Sequence, residues 1–104
     1  MDEAIIIEIV WTDSAKVTFD KIVEYLYKEW TEKEVEKFIS RVTKMLETLK
    51  RYLEICRPST KRKNVRIGIV NKHTQIVYHH MPQKKRIEIL LFWNSKQDPS
   101  KFKY

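Results

Sequence analysis

Apolar positions along this chain change their period twice, and the changes divide it into elements. Ile5, Ile7, Ile9 and Trp11 alternate with Ile6, Glu8 and Val10, the two-residue repeat of a strand. Only Glu8 is polar, so both faces of this strand are expected to be covered. From Asp13 the repeat lengthens. Ala15, Phe19, Ile22 and Leu26 form a helical stripe, widened by Val23 and Trp30, while Lys16, Asp20, Glu24 and Lys28 recur every four residues on the solvent side. Thr12 and Ser14 are candidate N-caps for this helix. Thr31-Glu32-Lys33-Glu34 reads as a capping box that starts a second helix almost without a loop. Its apolar face runs through Val35, Phe38, Ile39, Val42, Met45, Leu46, Leu49 and Leu53, and Arg57-Pro58 ends it, because the residue before proline avoids the α region.

Alternation then returns in three segments: Val65 to Val70, Thr74 to His79 and Ile87 to Trp93. The first two are joined by a tight turn at Asn71-Lys72-His73 and the last two by a longer one, His80 to Arg86, which contains Pro82. Gly68 sits mid-strand, where it permits close approach of a neighbour. The order strand, helix, helix, strand, strand, strand predicts an α+β domain. Its helical hairpin packs on one face of a mainly antiparallel four-stranded sheet. A chain of 104 residues makes a single domain, 1–104, with 94–104 read as a polar tail of no clear period.

Composition narrows the class. The one cysteine, Cys56, cannot form an internal disulfide and reads as a small apolar filler, which suits a reducing, cytoplasmic setting. No apolar run approaches the roughly 20 residues of a membrane span, and the acidic start Met1-Asp2-Glu3 is unlike a signal peptide. Charge is divided unevenly. Residues 1–56 carry nine Lys/Arg against twelve Asp/Glu, a net of −3, whereas residues 57–104 carry twelve against two, a net of +10. That asymmetry points to a polyanionic partner, a nucleic acid or an acidic protein.

The chemistry-bearing residues fall in the three-strand region. Val65, Ile67 and Ile69 share one strand face, and Arg66, Gly68 and Val70 the other. The aliphatic face is expected to meet the helices, leaving Arg66 on the open side, where its planar fork suits phosphate. A cross-strand pair between Arg66 and Glu88 is the structural alternative. Ile76 and Tyr78 share one face of the next strand, Val77 and His79 the other, and parity does not say which is open. Arg66, Tyr78, His79 and His80 together could supply base, acid and charge stabilisation for metal-free RNA cleavage. Lys61, Arg62 and Lys63, with Lys84, Lys85 and Arg86, are expected to bracket this face at its two ends, and Lys96 adds to the backbone-binding set. The histidines lack metal-ligand spacing with cysteine or acids, so no metal and no cofactor is expected. Phe102 and Tyr104 are candidates for base stacking, while Trp93 alternates with core residues.

Taken together, Trp11-Thr12-Asp13-Ser14-Ala15 with the Ile22/Tyr25/Leu26 helix, Asn64-Val65-Arg66, Ile76-Val77-Tyr78, and Ile89-Leu90-Leu91-Phe92-Trp93-Asn94 continuing to Asp98-Pro99 resemble the RelE/ParE toxin superfamily of bacterial type II toxin–antitoxin modules. The resemblance covers almost the whole chain in order. It implies a cytoplasmic toxin neutralised by a cognate antitoxin, through an acidic, partly disordered segment that wraps the cationic face. RelE-like members cleave mRNA in the ribosome without metal, and ParE-like members bind and poison DNA gyrase. By position, Arg66 matches a phosphate-contacting arginine of the nucleases, Lys61 and Lys63 their catalytic or RNA-binding lysines, and Lys96 a later basic residue. Phe102 stands where they carry a tyrosine, and Gln97 replaces one of the paired basic residues before the closing Asp98-Pro99. The expected function is growth arrest by ribosome-dependent mRNA cleavage. The alternatives are gyrase inhibition by protein binding alone, and a non-toxic RNA- or ribosome-binding module.

Overall fold

A computed structural model describes residues 7–96 and 99–104. Five strands and two long helices follow in the order β1 (Glu8–Trp11), α1 (Asp13–Glu29), α2 (Glu32–Arg51), β2 (Arg57–Pro58), β3 (Val65–Asn71), β4 (Thr74–Met81) and β5 (Arg86–Asn94). Short 3-10 turns occupy Pro82–Lys84 and Pro99–Lys101. The sheet order is β1-β5-β4-β3-β2, antiparallel except for the parallel pair β1 and β5. The α+β reading holds, with the helices packed on one face. The sheet has five strands rather than four, because Arg57–Pro58 pairs with Ile67 and Arg66 at the β3 edge. Proline is accommodated there, since an edge position needs no ladder donor. The second helix accordingly ends at Arg51, six residues before the Arg57-Pro58 stop. Of the strand expected from Ile5, its first two residues lie outside the described residues.

Local sequence explains the helix starts. The Thr12 hydroxyl accepts from the Ala15 amide at 3.1 Å and donates to the Ile89 carbonyl at 2.8 Å. One side chain thus caps α1 and pins it to β5. Thr18 acts similarly. Past the Trp11–Ile89 pairing, β5 has no strand neighbour on the β1 side, and the Phe92 amide there donates to the Thr18 hydroxyl at 2.9 Å. Thr31 caps α2 by accepting from the Glu34 amide at 3.4 Å. The Glu34 carboxylate turns to Lys37, 3.6 Å away, so the capping box forms only in part.

The main core lies between the helices and one sheet face. Phe38, Val42 and Leu49 of α2 meet Val70, Ile76, Tyr78, Ile87, Ile89 and Phe92, all buried. Trp11, Phe19, Phe38 and Phe92 form an aromatic cluster with ring centroids 5.2–6.5 Å apart, a geometry that adds to simple area burial.

This core corrects the assignment of the β3 faces. The helices cover the face of Gly68 and Val70, and Arg66 lies on that same side. A Cβ on Gly68 would stand 2.7 Å from the Cys56 Sγ and 3.1 Å from Ile76 Cγ2, so glycine is what lets the chain after α2 cross so close to the sheet. The face of Val65 and Ile67 is the outer one. It forms a second cluster with Val77, Leu90 and Leu91 beneath Phe102 and Tyr104. The tail read as merely polar therefore supplies a cover.

Candidate functional site

Strand order decides which basic residues meet. β3 and β5 run in the same direction on either side of β4, so the segments that precede them emerge at one end of the sheet. The two basic clusters, expected at opposite ends, consequently share this end. Lys61, Arg62 and Lys63 lie in the β2–β3 connection, and Lys84 and Lys85 in the β4–β5 turn. Two carboxylates, Glu8 and Glu88, lie at this end, and Glu8 is paired with Arg86. Arg86 Nε is 3.0 Å from Glu8 Oε1, and His79 Nδ1 is 3.9 Å from Glu88 Oε1. Five further cations remain beside them, giving a strongly positive rim. Asn64 and Lys85 turn the chain here in the left-handed region, at φ 62° and 50°, which asparagine adopts more readily than most residues.

Part of the first cluster is tied to the tail. Lys61 Nζ donates to the Phe102 carbonyl at 3.2 Å, the Arg62 guanidinium lies 4.6 Å from the Tyr104 ring centroid, and the Ser59 hydroxyl donates to the Tyr104 carbonyl. Phe102 packs on Trp93 with centroids 5.0 Å apart. Both rings are thus committed to the outer sheet face. Lys96 belongs elsewhere. It sits at the opposite end of the sheet, its ammonium 5.9 Å from the Tyr25 ring centroid.

Arg66, Tyr78, His79 and His80 are neighbours in the ladder but do not converge on one space. Arg66 Nη1 donates to the carbonyls of Cys56 at 2.7 Å and Glu54 at 3.2 Å, holding the segment that follows α2. Glu88 is two strands away, so the alternative Arg66–Glu88 pair does not form. Tyr78 is fully buried on the same face, and its hydroxyl donates to the Leu53 carbonyl at 2.9 Å. Burial pushes the Tyr78 phenol up, reinforced by the adjacent Cys56. Burial likewise raises the Cys56 thiol, outweighing the neighbouring Tyr78 hydroxyl and the charge of Arg66. His79 points to the outer face with Glu88. His80 lies on the helix side, its Nε2 buried without a hydrogen-bond partner. It lines a hollow of about 590 Å³ with Arg51, Tyr52, Leu53, Glu54 and Ile55.

Among the described residues, no group of three or more His, Cys, Asp or Glu side chains is placed to hold a metal ion. No described helix is long and apolar enough to cross a membrane. A further cavity, of about 580 Å³, lies between the helical hairpin and the β3–β4 turn. Its Trp30 reads in the sequence as a widening of the apolar stripe, yet it is 59% exposed. The clue was local: Trp30 is the α1 C-cap, immediately before Thr31.

A helical hairpin on one face of a five-stranded sheet with a cationic end is the architecture that the RelE/ParE resemblance implies. The family model described as ParE toxin of type II toxin-antitoxin system, parDE, matches residues 9–99, and the chain belongs to that family. A solved structure described as the chromosomal ParDE TA system from P. aeruginosa is similar in fold, with a TM-score of 0.71. It is 17% identical, and the match covers 86% of this chain and 97% of that one. No curated protein matches. The protein is thus the toxin component of a ParDE-type type II toxin–antitoxin system, and a cognate antitoxin is its implied partner.

Proposed function

We propose that this toxin arrests growth by binding DNA gyrase through protein contacts, without catalysis. The observation that carries this reading is the employment of Arg66 and Tyr78. Cleavage by 2′-hydroxyl attack needs a base and a charge stabiliser within hydrogen-bond reach of one phosphate. Here the Tyr78 hydroxyl is buried on the Leu53 carbonyl, and Arg66 lies on the helix side with its Nη1 on the carbonyls of Cys56 and Glu54. His79 and His80 leave the strand on opposite faces. Membership of the ParE family supports the same target, since ParE-like members are the gyrase-directed branch of the superfamily that the sequence resembles.

A second reading, ribosome-dependent mRNA cleavage, is favoured by one observation: both basic clusters and both histidines lie at the same sheet end. In that case Lys61, Arg62, Lys63, Lys84, Lys85 and Arg86 hold the RNA backbone, with His79 at the reacting phosphate. In either case the antitoxin's acidic segment is drawn to this end by charge.

Purified toxin in a gyrase supercoiling assay, run beside a map of mRNA 5′ ends after induction, separates the two. The expected result is loss of supercoiling with intact mRNA. Codon-spaced cuts with untouched gyrase activity overturn the proposal.

A further inference from the structure

The cavity between the helical hairpin and the β3–β4 turn lies at the end of the sheet away from the basic clusters, and it has its own chemistry. Its exposed apolar surface is aromatic: Trp30 and Tyr25, 59% and 41% exposed, stand at the end of α1. The aliphatic floor, Ile22 and Leu26, is already packed against the core. Around these rings stand Lys37 and Arg41 from α2, Lys72 from the turn and Lys96 after β5. Glu34 is the one acidic residue of the described lining, and Lys37 lies 3.6 Å from it. Arg41, Lys72 and Lys96 have no carboxylate partner within the described lining, and Lys96 lies over the Tyr25 ring.

We infer that this groove binds single-stranded nucleic acid, one base stacking on Trp30 and the flanking phosphates lying on Arg41, Lys72 and Lys96. Each part of the site matches one part of that ligand. The exposed Trp30 ring offers a flat apolar platform, which suits an unstacked base better than the branched side chains of a peptide helix, because the aliphatic hollow such a helix needs is filled from within. Stacking on aromatic side chains beside a cationic track is how strands are held without sequence readout. A paired duplex hides its base faces, which selects for a single strand. The volume of about 580 Å³ is in the range of small-ligand sites, large enough for a nucleotide unit. The Lys96 ammonium over Tyr25 leaves Trp30 as the open platform.

The test is fluorescence anisotropy of a labelled oligothymidylate of about ten nucleotides titrated with the full chain. Trp30→Ala is expected to weaken binding about tenfold, the loss of one stacked base, and Trp30→Phe to retain most of it. Arg41→Gln should lower the salt slope by about 0.7, one phosphate contact on a single strand. Both positions are exposed, and thermal melts establish that the variants fold. The double variant Lys84→Gln/Lys85→Gln, at the far end, is expected to keep the Trp30 dependence. Unchanged binding by Trp30→Ala overturns the inference, as does equal loss with Trp30→Phe. Displacement of the oligonucleotide by an acidic, aromatic-containing peptide at equal concentration overturns it in favour of a protein ligand. Equal competition by free thymidine monophosphate would show a mononucleotide site instead.

Discussion

The two faces of the sheet are built from the same strands yet sealed by different means. On one, the helices lay down a thick cover in which Phe38 and Phe92 are 2% exposed. On the other, the cover is one short tail, Phe102 and Tyr104, itself half-buried. Helices satisfy their own backbone groups and can commit a whole face to packing. An irregular tail has to be tied down atom by atom, and the ties come from Ser59, Lys61 and Arg62. Three residues of the basic stretch Ser59–Lys63 thus fasten the tail as well as supplying charge. Robust cover comes from periodic structure, and marginal cover from side-chain anchors.

The contrast is broken most severely on the helix side. Phe92→Ala removes a buried ring from the aromatic cluster and is expected to cost about 3–5 kcal/mol in urea unfolding. Phe102→Ala, on the tail side, is expected to cost about 1–2 kcal/mol, since its ring remains partly in water. Equal losses at the two positions would mean that the tail is as much core as the helices. Between these lies Gly68→Ala, expected to cost about 1–3 kcal/mol by overpacking against Cys56. Most of that loss should disappear in a Cys56→Ala background, a coupling that a double-mutant cycle measures. Arg62→Gln should cost about 0.5 kcal/mol, the scale of an exposed cation–π contact.

The helix side also carries the only pH response traced to a shifted group among the described residues. The Cys56 thiol and the Tyr78 phenol are both held above their ordinary values in the folded chain. The unfolded chain therefore loses these protons first. Their contribution is fully present below the unfolded thiol value of about 9 and is lost as pH rises beyond it. Melting temperature should fall above about pH 9, and Cys56→Ala should flatten the early part of that fall. An unchanged alkaline profile in that variant would place the effect on Tyr78 alone.

How much was legible in the sequence follows from what each feature depends on. Helix and strand positions were readable because period and capping are local. Thr12 and Thr31 start their helices in the structure as their side chains require. The end of α2, at Arg51, is not legible in this way, because Arg57-Pro58 marks where a helix cannot continue rather than where it stops. The face that Arg66 takes is hidden for a similar reason. Two rows of β3 are apolar enough to be buried, and alternation separates faces without saying which cover each receives. The groove at Trp30 left only a weak trace, since its walls come from α1, α2, the β3–β4 turn and the segment after β5.

By itself the sequence determined the α+β class, the uneven charge and the resemblance to a toxin superfamily, because composition, period and motif order survive without three dimensions. Tertiary structure alone decided that both basic clusters share one end of the sheet, a consequence of β3 and β5 running parallel on either side of β4. It also decided that Arg66 faces the helices. Which cover settles on which side depends on contacts between residues dozens of positions apart, and no local pattern encodes them.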